Sequence, residues 1–264
     1  MRLPKRDLPK YTVTLPVSKE TIEYRPYTVK EERILDLAGL SESVSDKYTA
    51  IKQVLENCSN VDIKHLHPAD VDFLYLKIYS ASMSNELQFN YEVDYNMCGF
   101  KDKDLELFDT NCPKQLTGVL NIDTSVKVVG LEEMDKLSVA AKGSDNSRII
   151  DIVDGIKFQI GFKTLDVDIG TDKDLDVVPI IFELLDAVIS PSEDDPEVIE
   201  VINKTEFTLE EFTEFYSSFQ PKDLENLRQY FLNTARCVAD LQVKCKVCKK
   251  TFKAEQTGLL NFLV

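Results

Sequence analysis

The residues best suited to chemistry are cysteines. Cys245-Lys-Val-Cys248 places two thiols at a spacing that lets both reach one Zn²⁺ from a tight turn between strands, as in a zinc ribbon. A closed structural site takes four ligands, and the sequence has no second C-x-x-C. The available partners are Cys98 and Cys112, followed by Gly99 and Pro113, both compatible with turns. The candidate metal set is therefore Cys98, Cys112, Cys245 and Cys248 around a structural zinc. The alternative is a degenerate knuckle of ordinary reduced thiols. A thioredoxin-like redox motif fits less well, because that motif opens a helix, whereas Lys249, Lys250 and Phe252 read as a returning strand. Cys58 and Cys237 suit a core as small apolar residues.

Two other groupings invite a metal reading. His65-Leu66-His67 stands directly before Pro68 and reads as the turn that enters a helix. Asp166, Asp168, Asp172, Asp174 and Asp176 suggest calcium or a metal-assisted hydrolase, but the EF-hand template fails in both registers. Starting at Asp166, Thr171 takes the glycine position and Val177 the final glutamate. Starting at Asp168, the same positions hold Lys173 and Pro179. A solvated acidic connector is the better reading. Phosphate-binding, dinucleotide-binding, nucleophile-elbow and zincin motifs are all missing. With two histidines and no tryptophan in 264 residues, the chain points to binding or assembly rather than catalysis.

Charge narrows the partners. The 31 basic and 46 acidic residues leave a net −15, which argues against tracking nucleic-acid phosphates or an anionic membrane surface. Apolar runs are short and broken by charge, so no membrane-spanning helix is readable. The basic start Met1-Arg-Leu-Pro-Lys-Arg6 lacks the apolar segment of a secretory signal. A soluble, intracellular protein is expected, and its six thiols then argue against a disulfide scaffold.

The elements that must position these residues suggest an α+β fold in three stretches. Residues 1–84 read as a β-hairpin and helices. Tyr11, Val13 and Leu15 alternate with polar residues, as do Ile22 and Tyr24. Thr28-Val-Lys-Glu31 forms a capping box, Ala50 to Leu55 gives helical spacing, and Pro68 opens a third helix. Residues 85–170 read as β-rich and antiparallel. There Leu87, Phe89, Tyr91, Val93 and Tyr95 alternate, shorter runs follow at 105–108, 116–122 and 126–129, and Asp154-Gly155 marks a hairpin turn.

Residues 171–264 read as a helical part ending in a zinc-ribbon-like C-x-x-C hairpin and an apolar tail. Val178 to Ile189 is expected to be one buried helix, and a second capping box stands at Thr208-Leu-Glu-Glu211. Phe212, Phe215, Tyr216 and Phe219 form an aromatic stripe that suits either a core or a docking face. The tail residues Leu259, Leu260, Phe262 and Leu263 pose the same choice.

The strings Leu8-Pro-Lys-Tyr-Thr-Val-Thr-Leu-Pro16 and Glu23-Tyr-Arg-Pro-Tyr-Thr-Val-Lys-Glu-Glu32 resemble the baseplate hub assembly proteins of T-even-type tailed phages. So does Phe73-Leu-Tyr-Leu-Lys-Ile78, where that family enters its first long strand. Aromatic helices, a C-x-x-C knuckle and a Gly-Leu, Phe-containing ending are similar in outline. The resemblance covers roughly the first hundred residues well and the last sixty loosely, and a family-like knuckle near Cys98 stands here as a lone cysteine. It implies a non-enzymatic viral assembly protein that binds other baseplate hub proteins, as a hub subunit or an assembly chaperone. Such a protein is made in the host cytoplasm and joins, or helps to build, the virion tail baseplate. No catalytic residue comes with it, and no nucleic acid, membrane or small-molecule substrate is expected as a partner. The alternative is a zinc-ribbon adaptor unrelated to phage tails.

Overall fold

Alternation at the N-terminus produces the hairpin it implies. In the computed structural model, strands β1 (Tyr11–Thr14) and β2 (Thr21–Tyr24) pair antiparallel, with Tyr11 opposite Tyr24 and Thr14 opposite Thr21. The structure describes residues 7–41, 43–63, 66–92, 115–141, 147–161, 177–192, 195, 197–247 and 249–258. Ile22 and Tyr24 turn inward while Thr21 and Glu23 stay in solvent, the half-buried pattern of a strand lying on a core.

Helix α1 (Val29–Gly39) starts at the Thr28 capping box, and α2 (Val44–Cys58) at Ser43, whose hydroxyl accepts from the Asp46 N–H. Helix α3 (Pro68–Ser82) has proline in its first turn, where a missing N–H is harmless. Phe73–Ile78 therefore lies in a helix, as the Pro68 signal predicts, and not in the strand that the family resemblance implies.

Strands β3 (Glu86–Glu92) and β4 (Gln115–Asn121) pair along their whole described length. The expected continuation at Val93 and Tyr95 and the run at 105–108 lie outside the described residues. Phe89 sits opposite Gly118, and a Cβ at Gly118 would overlap the Phe89 ring, so the glycine lets the ring lie across the neighbouring strand. A helical turn, α4 (Ile122–Ser125), then leads into β5 (Val126–Val129).

The next elements build a second layer. Helix α5 (Leu131–Leu137) precedes β6 (Val139–Ala140), β7 (Ser147–Val153) and β8 (Ile156–Gly161). Asp154 and Gly155 both adopt positive φ (49° and 81°), as a tight β-hairpin turn demands. Helix α6 covers only Val177–Leu184, and β9 (Leu185–Pro191) follows without a break. The expected single helix over Val178–Ile189 is thus corrected to a helix and a strand.

A continuous apolar run carries no period to separate the two states, and pairing with both neighbours decides for β in its second half. Strand β9 lies between β8 and β10 (Ile199–Asn203). The C-terminal third is consequently helical only in part. Its helices α7 (Leu209–Ser217) and α8 (Glu225–Asn233) follow a single 3₁₀ turn at Lys204–Glu206. The five strands run in the order β10-β9-β8-β7-β6, all antiparallel.

The chain then returns to its beginning. Strand β11 (Arg236–Lys244) pairs with both β12 (Thr251–Thr257) and β5. Two hydrophobic clusters result. The first gathers Leu15, Ile51, Leu55, Leu74, Leu76 and Leu120 with Cys237, Leu241 and Phe252 from β11–β12. The second gathers Phe158, Ile150 and Val188 of the five-stranded sheet with Phe212, Leu227 and Tyr230 of α7 and α8. An α+β architecture with antiparallel sheets is what the sequence predicts. The long return of β11 to the first cluster is not.

Candidate interaction surfaces

The N-terminal unit is locked from two sides by buried charge. At the hairpin tip, the turn between β1 and β2 requires positive φ at Lys19 (63°), and two of its N–H groups need acceptors. The fully buried Asp70 supplies them: Oδ1 accepts from Val17 N–H and Oδ2 from Ser18 N–H, each at 2.8 Å. Burial pushes the Asp70 pKa up, while those two backbone bonds pull it down. One carboxylate in the first turn of α3 thereby fixes the hairpin against that helix.

At the other side, Arg25 lies between β2 and α1. Its Nη1 donates to the Pro26 carbonyl at 2.9 Å. Its Nη2 donates to Glu31 Oε1 at 2.9 Å and to the Asn57 carbonyl at 2.8 Å. Glu31 closes the circuit by accepting from the Thr28 N–H at 2.7 Å and from the Thr28 hydroxyl. Burial opposes ionisation of Glu31, yet the Arg25 and Thr28 hydrogen bonds outweigh it and hold its pKa at about 2. The Arg25 N–H also donates to the Cys58 carbonyl at 2.8 Å, so the hairpin, the start of α1 and the end of α2 share one node.

Held this way, α1 leaves large apolar side chains in solvent among the exposed charges Lys30, Arg33 and Asp36. Ala38 is buried, and Ile34 and Leu35 pack on the first cluster. On the far side, Val29, Leu37 and Leu40 are 64%, 71% and 83% exposed. They follow the helical spacing through Arg33 and form one stripe. Val29 and Leu37 on the anchored helix, with Leu40 at its C-cap, are a suitable surface for a protein partner.

The other sequence candidates fall elsewhere. Cys98, Cys112 and Cys248 lie outside the described residues. Cys245 directly follows β11 and is fully buried within the first cluster, its N–H donating to the Lys250 carbonyl and its carbonyl accepting from the Lys249 N–H. The β11–β12 hairpin is present around this turn. Among the described residues no group of three or more His, Cys, Asp or Glu side chains could hold a metal, so a zinc ribbon is not shown. Cys58 and Cys237 are buried, and burial raises their thiol pKa values to about 11 and about 12. Both are unreactive core residues at neutral pH.

Of the histidine pair, His65 lies outside the described residues. His67 is the buried N-cap of α3. Its Nδ1 accepts from the Ala69 N–H at 3.1 Å and its Nε2 lies 3.3 Å from the Thr234 hydroxyl. Burial, followed by the field of Arg148, lowers its pKa to about 3, so the ring is neutral and structural.

The Asp166–Asp176 run and the tail from Leu259 lie outside the described residues. The aromatic stripe resolves as core. Phe212 is buried, Phe215, Tyr216 and Phe219 pack on the second cluster, and the Phe158 ring lies 5.9, 6.3 and 6.2 Å from Phe212, Phe215 and Phe219.

Sequence reasoning located the Thr28–Glu31 box but missed Arg25 and Asp70. Capping is local and periodic, whereas each of these charges finds its partners through a fold that sequence spacing does not encode. The only available cue for Asp70 was an acidic residue in a predicted first turn.

The model of a family described as "T4 bacteriophage base plate protein" matches residues 8–264, including the middle stretch for which the quoted strings offered no resemblance. Neither the curated proteins nor the solved structures yield a match. Of the strings that carry the resemblance, the first two build the hairpin, the Arg25 node and the capped start of α1, the third lies in α3, and the match runs on through β12. This chain belongs to the T4 bacteriophage base plate protein family.

Proposed function

We propose that the protein acts without catalysis in assembly of the baseplate hub, as a hub subunit or an assembly chaperone, by binding other hub proteins through the outer face of α1. The observation that carries this reading is the exposed stripe Val29, Leu37 and Leu40 on a helix fixed by the Arg25–Glu31 node. Energy spent on holding a helix rigid while its apolar face stays wet is recovered when a partner covers that face. Net acidic charge supports the choice of basic partner surfaces and keeps free subunits apart. Membership in a baseplate family weighs against an adaptor unrelated to phage tails. Made in the host cytoplasm, the protein would meet its partners before or within the virion tail. No helix of the described residues is long and apolar enough to cross a membrane.

The test is quantitative mass spectrometry of purified particles and of infected-cell lysate, with and without the gene. Hub complexes should fail to form when the gene is absent. Defined low copy number in particles would make the protein a hub subunit, and presence in lysate alone would make it a chaperone. Normal hub assembly without the gene would overturn the reading.

A further inference from the structure

A second surface, remote in sequence from α1, is the outer edge of the five-stranded sheet. Strand β10 is the terminal strand, pairing only with β9 among the described residues. The bond from Ser192 N–H to the Val198 carbonyl at 2.8 Å fixes the antiparallel alternation. Glu200 and Ile202 then exchange hydrogen bonds with β9, while Ile199 and Val201 direct their N–H and C=O groups away from it. Two observations agree with this phase. The residue opposite Ile199 is Pro191, which has no N–H to give, and the outward Asn203 N–H donates to Glu206 Oε1 at 2.9 Å.

The same residues carry apolar side chains into solvent. Ile202 lies opposite Val188, on the face that belongs to the second cluster. Ile199 and Val201 therefore point to the other face and are 67% and 53% exposed, beside the half-buried Ile189 and Pro191. Edges are usually protected by charged side chains, lysine above all, by proline or by a bulge within the strand, and the one charge within β10 is Glu200. Strand β10 contains no lysine, proline or bulge.

Charge selects the occupant. Asp195, Glu197 and Glu200 are exposed along the strand and its approach. Two cations nearby are already engaged: Lys204 pairs with Glu183 at 3.3 Å and lies over the Phe182 ring, and Lys157, opposite Ile189 on β8, pairs with Asp151 at 2.6 Å. A second copy of β10 would bring the same carboxylates against themselves, and each chain carries a net −15. Like charges across an interface oppose pairing, whereas basic residues meeting these carboxylates favour it.

We infer that β10 accepts an extended, lysine- or arginine-bearing segment of a partner protein by strand addition, with apolar side chains of that segment against Ile199 and Val201. Backbone hydrogen bonds from the Ile199 and Val201 edge give affinity, and the acidic rim sets the charge preference.

The probes are a labelled peptide of alternating lysine and valine and its glutamate–valine counterpart, titrated against the full chain by fluorescence anisotropy. Amide hydrogen exchange is followed at Ile199 and Val201. The basic peptide should bind at least about tenfold more tightly than the acidic one and protect both amides. Val201→Pro removes an outward N–H while leaving the β9 ladder intact, and should weaken binding about tenfold. Should that variant not fold, Glu200→Lys provides the same test, with charge preference reduced. Equal binding of the two peptides, binding without protection at both amides, or no binding would overturn the inference. So would self-association of the chain that Val201→Pro abolishes, since the occupant would then be a second copy.

Discussion

Arg25 and Glu31 meet at 2.9 Å, with the carboxylate buried and the guanidinium partly open to solvent. This one contact ties the strand before α1 to the first turn of α1, and through the Asn57 carbonyl to the end of α2. Because Glu31 ionises with a pKa of about 2, below its ordinary 4.5, the contact stabilises the fold above about pH 4.5 and is lost as pH falls towards 2. Glu31→Gln should lower stability near neutral pH by about 1–2 kcal/mol, allowing for screening on the open side, and flatten the acid limb of the stability profile. Urea unfolding from pH 2 to pH 7 measures both.

Asp72 has the opposite sign. Partly open at its surface, its carboxyl is nonetheless pushed up to about 7 by burial. The folded state therefore binds a proton more tightly than the unfolded chain, and stability falls as pH rises from about 4 through 7. Asp72→Asn should stabilise the protein at pH 8 by about 1–3 kcal/mol and have little effect at pH 4. Thermal unfolding of the variant and the parent at the two pH values gives the comparison.

Asp70 accepts from two backbone N–H groups of the hairpin tip. Asp70→Ala should leave the α3 backbone in place but strip those amides of their acceptors, with a loss of about 1–3 kcal/mol. Hydrogen exchange at Val17 and Ser18 should accelerate more than exchange within β7 or β8, which lie in the other cluster.

Gly118 lies under the Phe89 ring, where a methyl group fits only if the ring is displaced. Gly118→Ala should be clearly destabilising, and Phe89→Leu should relieve part of that loss in the double variant. A double-mutant cycle would report the coupling as a positive deviation from additivity.

Local signals were readable wherever they sufficed. Tyr11–Tyr24 alternation, the Thr28 and Thr208 capping boxes, Pro68 at the start of α3 and Asp154-Gly155 in the β7–β8 turn each specify their element within a few residues. The run from Val177 to Pro191 was not readable, because an apolar stretch without period becomes helix or strand according to its neighbours. Strand β10 was missed for a related reason: its exposed Ile199 and Val201 do not show the inward–outward pattern that marks a half-buried strand.

The aromatic stripe Phe212, Phe215, Tyr216 and Phe219 was legible as a face suited to either a core or docking, since spacing cannot say what covers it, and the structure settles it as core. The exposed α1 stripe raises the same question in reverse. Ile34, Leu35 and Ala38 stand at helical spacing and pack inward, whereas nothing in the spacing says that Val29, Leu37 and Leu40 stay uncovered.

The most direct test of the central claim is hub association by a protein whose α1 face alone is changed. Leu37→Asp with Leu40→Asp removes two exposed side chains and should leave thermal unfolding close to that of the parent. Expressed in cells infected with phage lacking the gene, the variant should remain monodisperse on sedimentation and fail to join hub complexes. The unaltered protein should restore them. If the folded variant enters hub complexes as well as the parent does, the α1 face is not where this baseplate protein meets its partners.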